Sequence, residues 1–355
     1  RKGESYTYDE DCLFLNIRTP SEASDDSKLP VLVYIHGGGF TGGCGHEKHF
    51  DGPVWAKKGV ISVTINYRLG PMGFVCLPEL KEEAGHTGNY GLYDQLTAIN
   101  WVRDNISAFG GDKDKITIMG QSAGAMSVQH LCQSELTKGL FRSAVMSSGV
   151  ALGSFMTSKS EKSYDFWKEV MKKVGAKNLE EFRKVSPEEL FKAWKSTKGG
   201  MMATTPIKDG ILIRDTAKPH TIPYMVGATS HDMAPAFLQP MTNKWGIKNG
   251  AYVWHFERML PGDDKGAWHS SDLWYWFGTL GNCWRPMNEK DYSLSDEMTS
   301  YLCNFVKTGD PNGDGLPQWK KCTNSNEVMH FGDGETKMHR VNMPKLIKTT
   351  LQTNP

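Results

Sequence analysis

Ser122 stands between Gly120 and Gly124 in the stretch Ile118-Met119-Gly120-Gln121-Ser122-Ala123-Gly124-Ala125-Met126-Ser127. A serine hydroxyl is a poor nucleophile unless a base takes its proton and an acid orients that base. Here an apolar strand pattern (116–119) runs into Gly-x-Ser-x-Gly, and a small, helix-compatible run follows. That order reads as a nucleophile elbow. The turn is tight, so its flanks must be small, and the strained serine lifts its hydroxyl above the sheet edge. The competing reading is a glycine-rich turn with a capping serine.

A second element fits the same chemistry. The strand pattern 31–35 runs into His36-Gly37-Gly38-Gly39-Phe40. A glycine run after a strand offers bare backbone N–H groups. With the N–H of Ala123, these can hold the oxyanion of a tetrahedral intermediate. Residues 37–42 also fit the Gly-x-Gly-x-x-Gly pattern of dinucleotide loops. A binding loop of that kind opens a helix, however, and 41–50 is rich in Gly and His with no apolar helical period.

The acid and base of such a site come later in the chain, in the order Ser, Asp or Glu, His. His269 follows the strand pattern 252–256 and the turn-rich loop LPGDDKGAW, at a strand end where catalytic groups gather in open α/β sheets. His255 lies within that strand and reads as structural. His36 reads as shaping the glycine run, and His130 as a core or supporting group of the elbow helix. The pattern 222–226 runs into Gly227-Ala228-Thr229-Ser230-His231-Asp232, which places Asp232 after the preceding strand, where an orienting carboxylate belongs. Asp209, Asp263, Asp264 and Asp272 are rivals, each equally readable as a turn or cap residue. Trp274, Tyr275, Trp276 and Phe277 follow His269 closely. Most read as core, with one or two lining an apolar substrate pocket, and Trp274 is the candidate. Phe155, Met201, Met202 and Phe237 are further candidates for that wall.

These residues need a scaffold. Strand-type runs at 12–17, 31–35, 60–65, 116–119, 144–146, 222–226 and 252–256 are nearly continuous and rich in β-branched residues, as in a parallel sheet buried on both faces. A helical period at 94–105 lies between two of them, so the class is α/β. The segment from about 154 to 218 is rich in Lys and Glu. It carries amphipathic helix patterns at 164–174 and 187–195, the second with Ser186 as N-cap, Pro187 at the first position and Glu189 as capping-box acid. It reads as a helical, cap-like insertion in a single domain of residues 1–355.

Composition excludes several classes. A formal net charge of +1 over 355 residues argues against a general nucleic-acid or anionic-membrane binder. No apolar run has the length of a membrane helix. Seven scattered cysteines without Cys-x-x-Cys give no disulfide framework and lean towards a reducing, cytoplasmic compartment, with secretion left open. Cys44, His46 and His49 lack a clear fourth metal ligand. The loop from Asp310 has Lys321 where a calcium loop requires Glu, and reads as a turn. No metal and no cofactor is expected.

Taken together, "EDCLFLNI" (10–17), "HGGGF" (36–40), "NYRLGPMGF" (66–74), "GNYGLYDQ" (88–95), "NWVRDNISAFGGD" (100–112), "ITIMGQSAGAMS" (116–127) and "HSSDLWYWFG" (269–278) resemble the type-B carboxylesterases. That branch of the α/β-hydrolases includes para-nitrobenzyl-type esterases and cholinesterases. The resemblance implies an α/β-hydrolase fold, with a mostly parallel central sheet flanked by helices. It also implies hydrolysis of small-molecule carboxylic esters without a cofactor. Carried over by position, it makes Ser122 the nucleophile, His269 the base, and Gly38, Gly39 and Ala123 the oxyanion hole. The chain departs from the family in several ways. Asp232 stands where the family usually has glutamate, and Gln121 precedes the serine where glutamate is common, a change not expected to affect the chemistry directly. The part before "EDCLFLNI" is missing and the cap is shortened. The upstream partner that often pairs with the cysteine matching Cys12 is absent, so no such bridge is expected.

Overall fold

A computed structural model describes residues 6–150, 157–323 and 327–353. Nine strands form one sheet. They are β1 (Leu15–Arg18), β2 (Leu29–Ile35), β3 (Ile61–Ile65), β4 (Gly111–Gln121), β5 (Ser143–Ser147), β6 (Tyr224–Thr229), β7 (Tyr252–Phe256), β8 (Glu327–Phe331) and β9 (Lys337–Arg340). The spatial order is β1-β3-β2-β4-β5-β6-β7-β8-β9. Only the outermost pairs, β1 with β3 and β8 with β9, are antiparallel. This is the α/β-hydrolase architecture, a mostly parallel sheet covered by helices.

The strands are apolar on both faces because both faces are covered. In β2, Val31, Val33 and Ile35 enter one core and Leu32 and Tyr34 the other. Against the first face pack α1 (Tyr90–Asn105), through Leu92, Ile99 and Val102, and α2 (Ala123–Leu131), through Ala125, Val128 and Leu131. Against the second packs a long helix, Glu289–Thr308, through Met298, Leu302 and Phe305. Its N-terminus carries a complete capping box between Asn288 and Asp291.

Between β5 and β6 the chain forms helices Glu161–Lys173, Leu179–Arg183 and Pro187–Ser196. Trp167, Val170, Leu190 and Trp194 bury their side chains with Cys76, Leu77 and Leu80, giving these helices a core of their own. The Ser186 hydroxyl accepts the Glu189 N–H at 3.3 Å and donates to the Glu189 carboxylate at 3.0 Å. No helix among the described residues is long and apolar enough to cross a membrane.

The expected strands differ from the observed ones mainly at their ends. The run 12–17 pairs only from Leu15, and the run 222–226 begins at Tyr224 and extends to Thr229. The hairpin of β8 and β9 carried no expectation. β8 buries Val328, Met329 and Phe331 between two partner strands, whereas β9 is the outer edge strand and, as Lys-Met-His-Arg, carries little apolar signal.

Candidate active site

Parallel neighbours place their C-terminal ends on one edge of the sheet, and β2, β4, β5, β6 and β7 lie side by side. Five chain exits therefore converge. Ile35 of β2 is in register with Gly120 of β4, so the glycine loop and the elbow leave the sheet together.

At the elbow Ser122 has φ 56° and ψ −124°, in the left-handed half of backbone space where a side chain is strained. Close approach enforces this turn. A β-carbon at Gly124 would lie 2.0 Å from the Ile35 carbonyl oxygen, and one at Gly120 2.3 Å from the Gly124 carbonyl. The Ser122 N–H donates to the Ser147 carbonyl at 2.9 Å. Gly149, just beyond β5, was not singled out in the sequence, yet a β-carbon there would meet the Ser122 carbonyl at 2.3 Å.

The glycine loop is pinned from behind. His36 is buried and stacks on Tyr67, whose hydroxyl donates to the His36 carbonyl at 2.9 Å. Phe40 is buried against Phe74, and its carbonyl accepts the Gly70 N–H at 2.7 Å. Gly38 and Gly39 remain exposed, with φ 106° and 63°. Among the described residues the N–H groups of Gly38, Gly39 and Ala123 have no protein acceptor. That is the state of donors able to receive an oxyanion. Ala123 also opens α2, whose dipole favours negative charge there.

The loops after β6 and β7 stay paired beyond the sheet. His231 and Trp268 form a parallel bridge, with the His231 N–H donating to the Ala267 carbonyl at 3.0 Å. Asp232 and His269 are the next residues on either side. The bridge carries the sheet register outward and sets them face to face, and His269 Nδ1 lies 2.6 Å from Asp232 Oδ1. The Met233 N–H donates to the same oxygen at 2.8 Å, and the Thr229 hydroxyl donates to Oδ2 at 3.0 Å. Burial works against ionised Asp232, but the hydrogen bond and charge of His269 and the Met233 N–H outweigh it and hold the carboxyl below its usual range. Burial likewise works against protonated His269. The hydrogen bond and charge of Asp232, with the charge of Asp272, outweigh it and raise the imidazole above its ordinary value. A base must be neutral to accept a proton. If His269 is the base, kcat/KM rises with pH along an acid limb whose apparent pKa lies above about 6.5. A pH profile from 5 to 9 checks this, and a limb at or below 6 would contradict it.

The rivals for the acid lie elsewhere. Asp209 accepts the Asn89 amide, the Tyr93 hydroxyl and the N–H groups of Ile211 and Ile213. Asp263 pairs with Arg285 at 2.6 Å. Asp264 is exposed. Asp272 is fully buried, and its Oδ2 accepts the Ser147 hydroxyl at 2.8 Å and the Trp276 indole N–H at 3.1 Å. Burial, reinforced by the Asp232 charge, pushes its pKa up to about 6. A carboxyl raised above its unfolded value stabilises the fold fully at low pH and loses that contribution as pH rises through the folded value. Asp272→Asn should therefore gain stability relative to wild type, by about 1–2 kcal/mol, between pH 5 and pH 8. Denaturant unfolding of both chains at the two pH values measures the difference.

Of the proposed pocket wall, Trp274 is buried in the second core with its ring 4.0 Å from that of His49. Phe237 is half-exposed on the helix Pro235–Asn249. Phe155 lies outside the described residues. Met202 belongs to the short helix Gly200–Thr204, and its side chain lies outside what is described. Among the described residues no cluster of His, Cys, Asp and Glu is placed to hold a metal ion.

The carboxylesterase family model matches residues 1–249 and 236–347. Carboxylesterase 5A of Canis lupus familiaris is 30% identical over an alignment of 416 residues, covering 90% of this chain and 70% of the relative. The para-nitrobenzyl esterase of Bacillus subtilis is 44% identical over 185 residues, covering 52% of this chain, which spans only 37% of that relative. Among solved structures, an esterase from Clostridium hathewayi described as able to hydrolyse aliphatic aromatic polyesters superposes with a TM-score of 0.84 at 27% identity. The match covers 99% of this chain and 84% of that one.

Proposed function

The chain belongs to the carboxylesterase family of carboxylic ester hydrolases, and from that premise we propose that it hydrolyses small-molecule carboxylic esters through an acyl-enzyme on Ser122. The observation that carries the reading is the 2.6 Å couple of His269 and Asp232 at the sheet edge that also presents the strained serine.

In this mechanism His269 takes the Ser122 proton at Nε2 as the hydroxyl attacks the ester carbonyl. Asp232 holds Nδ1–H and stabilises the imidazolium that forms. The N–H groups of Gly38, Gly39 and Ala123 receive the oxyanion, each worth about 3–4 kcal/mol of transition-state stabilisation. The imidazolium then protonates the departing alcohol. Water, deprotonated by the same histidine, attacks the acyl-serine and releases the acid.

Rapid mixing with para-nitrophenyl acetate and butyrate tests the reading. It predicts turnover of at least one ester and, where deacylation is slow, a nitrophenolate burst equal to the enzyme present. A folded chain inert to both esters, and to a wider panel of acyl and alcohol groups, would overturn it.

A further inference from the structure

The atom of His269 that must take the Ser122 proton already has a partner. Gln121 Nε2 lies 3.2 Å from His269 Nε2, whereas no hydrogen bond joins the Ser122 hydroxyl to His269 among the described residues. Nδ1 of the ring faces the ionised Asp232 and so carries the proton, which leaves a lone pair on Nε2. A group 3.2 Å from that lone pair must donate, and the Gln121 carboxamide presents its NH2. Gln121 is 3% exposed. Its carbonyl oxygen stands against the glycine loop, where a β-carbon at Gly37 would lie 2.8 Å from it. The side chain thus bridges the loop proposed for the oxyanion and the proposed base.

We propose that Gln121 is a positioning residue that holds His269 neutral and sets its basicity by donating to Nε2. Donor and acceptor counts decide the sign. Neutral His269 accepts from the amide. Once His269 takes a proton, Nε2 becomes a donor and faces another donor, so the bond is lost or the amide must turn over. Gln121 therefore disfavours the imidazolium. The charged groups acting on the ring, Asp232 from the loop after β6 and Asp272 from its own segment, both favour it. Gln121 is the counterweight. It also competes with Ser122 for Nε2, so the nucleophile gains its base only when the amide yields. The sequence gives this position no direct chemical role, because the elbow motif carries no sign of which way the side chain at this position points.

The catalytic meaning of this contact rests on the proposed role of His269, but the contact itself can be tested without substrate. The imidazole of His269 is titrated by NMR in the whole chain, assigned with a His269→Gln variant, in wild type, Gln121→Glu and Gln121→Met. A carboxylate at 121 accepts from the imidazolium and should raise the His269 pKa by about 1 unit or more. Methionine, similar in length and without a donor, should raise it by less. The acid limb of kcat/KM should move by the same amounts, lowering kcat/KM of Gln121→Glu up to about tenfold below the limb. A His269 titration unchanged in both variants would overturn the proposal, even with esterase activity intact. A shifted titration in a chain inert to esters would support the contact and count against the esterase reading instead.

Discussion

Ser122→Ala should lower kcat for para-nitrophenyl acetate by about 10⁴- to 10⁶-fold and abolish any burst, while leaving the fold intact. Alanine removes the hydroxyl oxygen proposed to carry the acyl group. The bare glycine loop and the His269–Asp232 couple remain, so a small residual rate over water should persist. Alanine also fits the strained backbone at φ 56° no worse than serine does. Thermal unfolding close to wild type is therefore expected, and it separates lost chemistry from lost structure. Activity within tenfold of wild type in a well-folded Ser122→Ala chain would place the nucleophile elsewhere.

Asp232→Asn is the second large effect, a fall in kcat of about 10⁴-fold. Asparagine fits the space but carries no charge to stabilise the imidazolium. Turned over, its NH2 would donate to Nδ1 and fix the ring in the tautomer that cannot accept the Ser122 proton. The Thr229 hydroxyl and the Met233 N–H, which both donate to the carboxylate, favour an acceptor in this position. The matched control is Asp272→Asn, the other buried carboxylate near His269. It makes no hydrogen bond to the ring, so activity at pH 8 should stay within about tenfold of wild type. Steady-state kinetics of the two variants side by side decides between the carboxylates. The reverse ranking would move the orienting acid to Asp272.

The parts of the site legible in the sequence are those whose physics is local. Gly120 and Gly124 flank Ser122 because backbone atoms occupy the space a side chain would need, and such a steric requirement leaves a trace in residue type. His36 to Phe40 likewise advertise a loop of bare N–H groups after a strand. Asp232 was harder. Four other aspartates were chemically eligible, and the feature that sets Asp232 opposite His269 is the bridge of His231 to Trp268, a long-range pairing with no local signature.

Other features were hidden for reasons that can be named. The helix Pro235–Asn249 shows little apolar period, contains Pro240, and turns polar residues towards the sheet. Gln239 donates to Asn243 at 2.9 Å and to the Trp254 carbonyl at 3.2 Å, and its Oε1 lies 2.7 Å from His255 Nδ1. A buried hydrogen-bond network replaces the apolar stripe by which helices are recognised. The aromatic run after His269 read mostly as core, with Trp274 as the pocket candidate. Trp274, Tyr275 and Trp276 all lie in the second core, where the indole of Trp55 also donates to the Trp276 carbonyl. Proximity in sequence to a reactive residue says little about which way a bulky side chain turns.

The central claim is that the acyl group is carried by Ser122. The most direct measurement is intact-protein and peptide mass spectrometry after brief reaction with para-nitrophenyl butyrate, quenched in acid, alongside the Ser122→Ala chain. The account predicts a single butyryl adduct on the peptide containing Ser122, gone in the variant and discharged when wild type is left at neutral pH. An adduct that persists in Ser122→Ala, or turnover with nitrophenolate release and no acylated intermediate under any quench time, would contradict it.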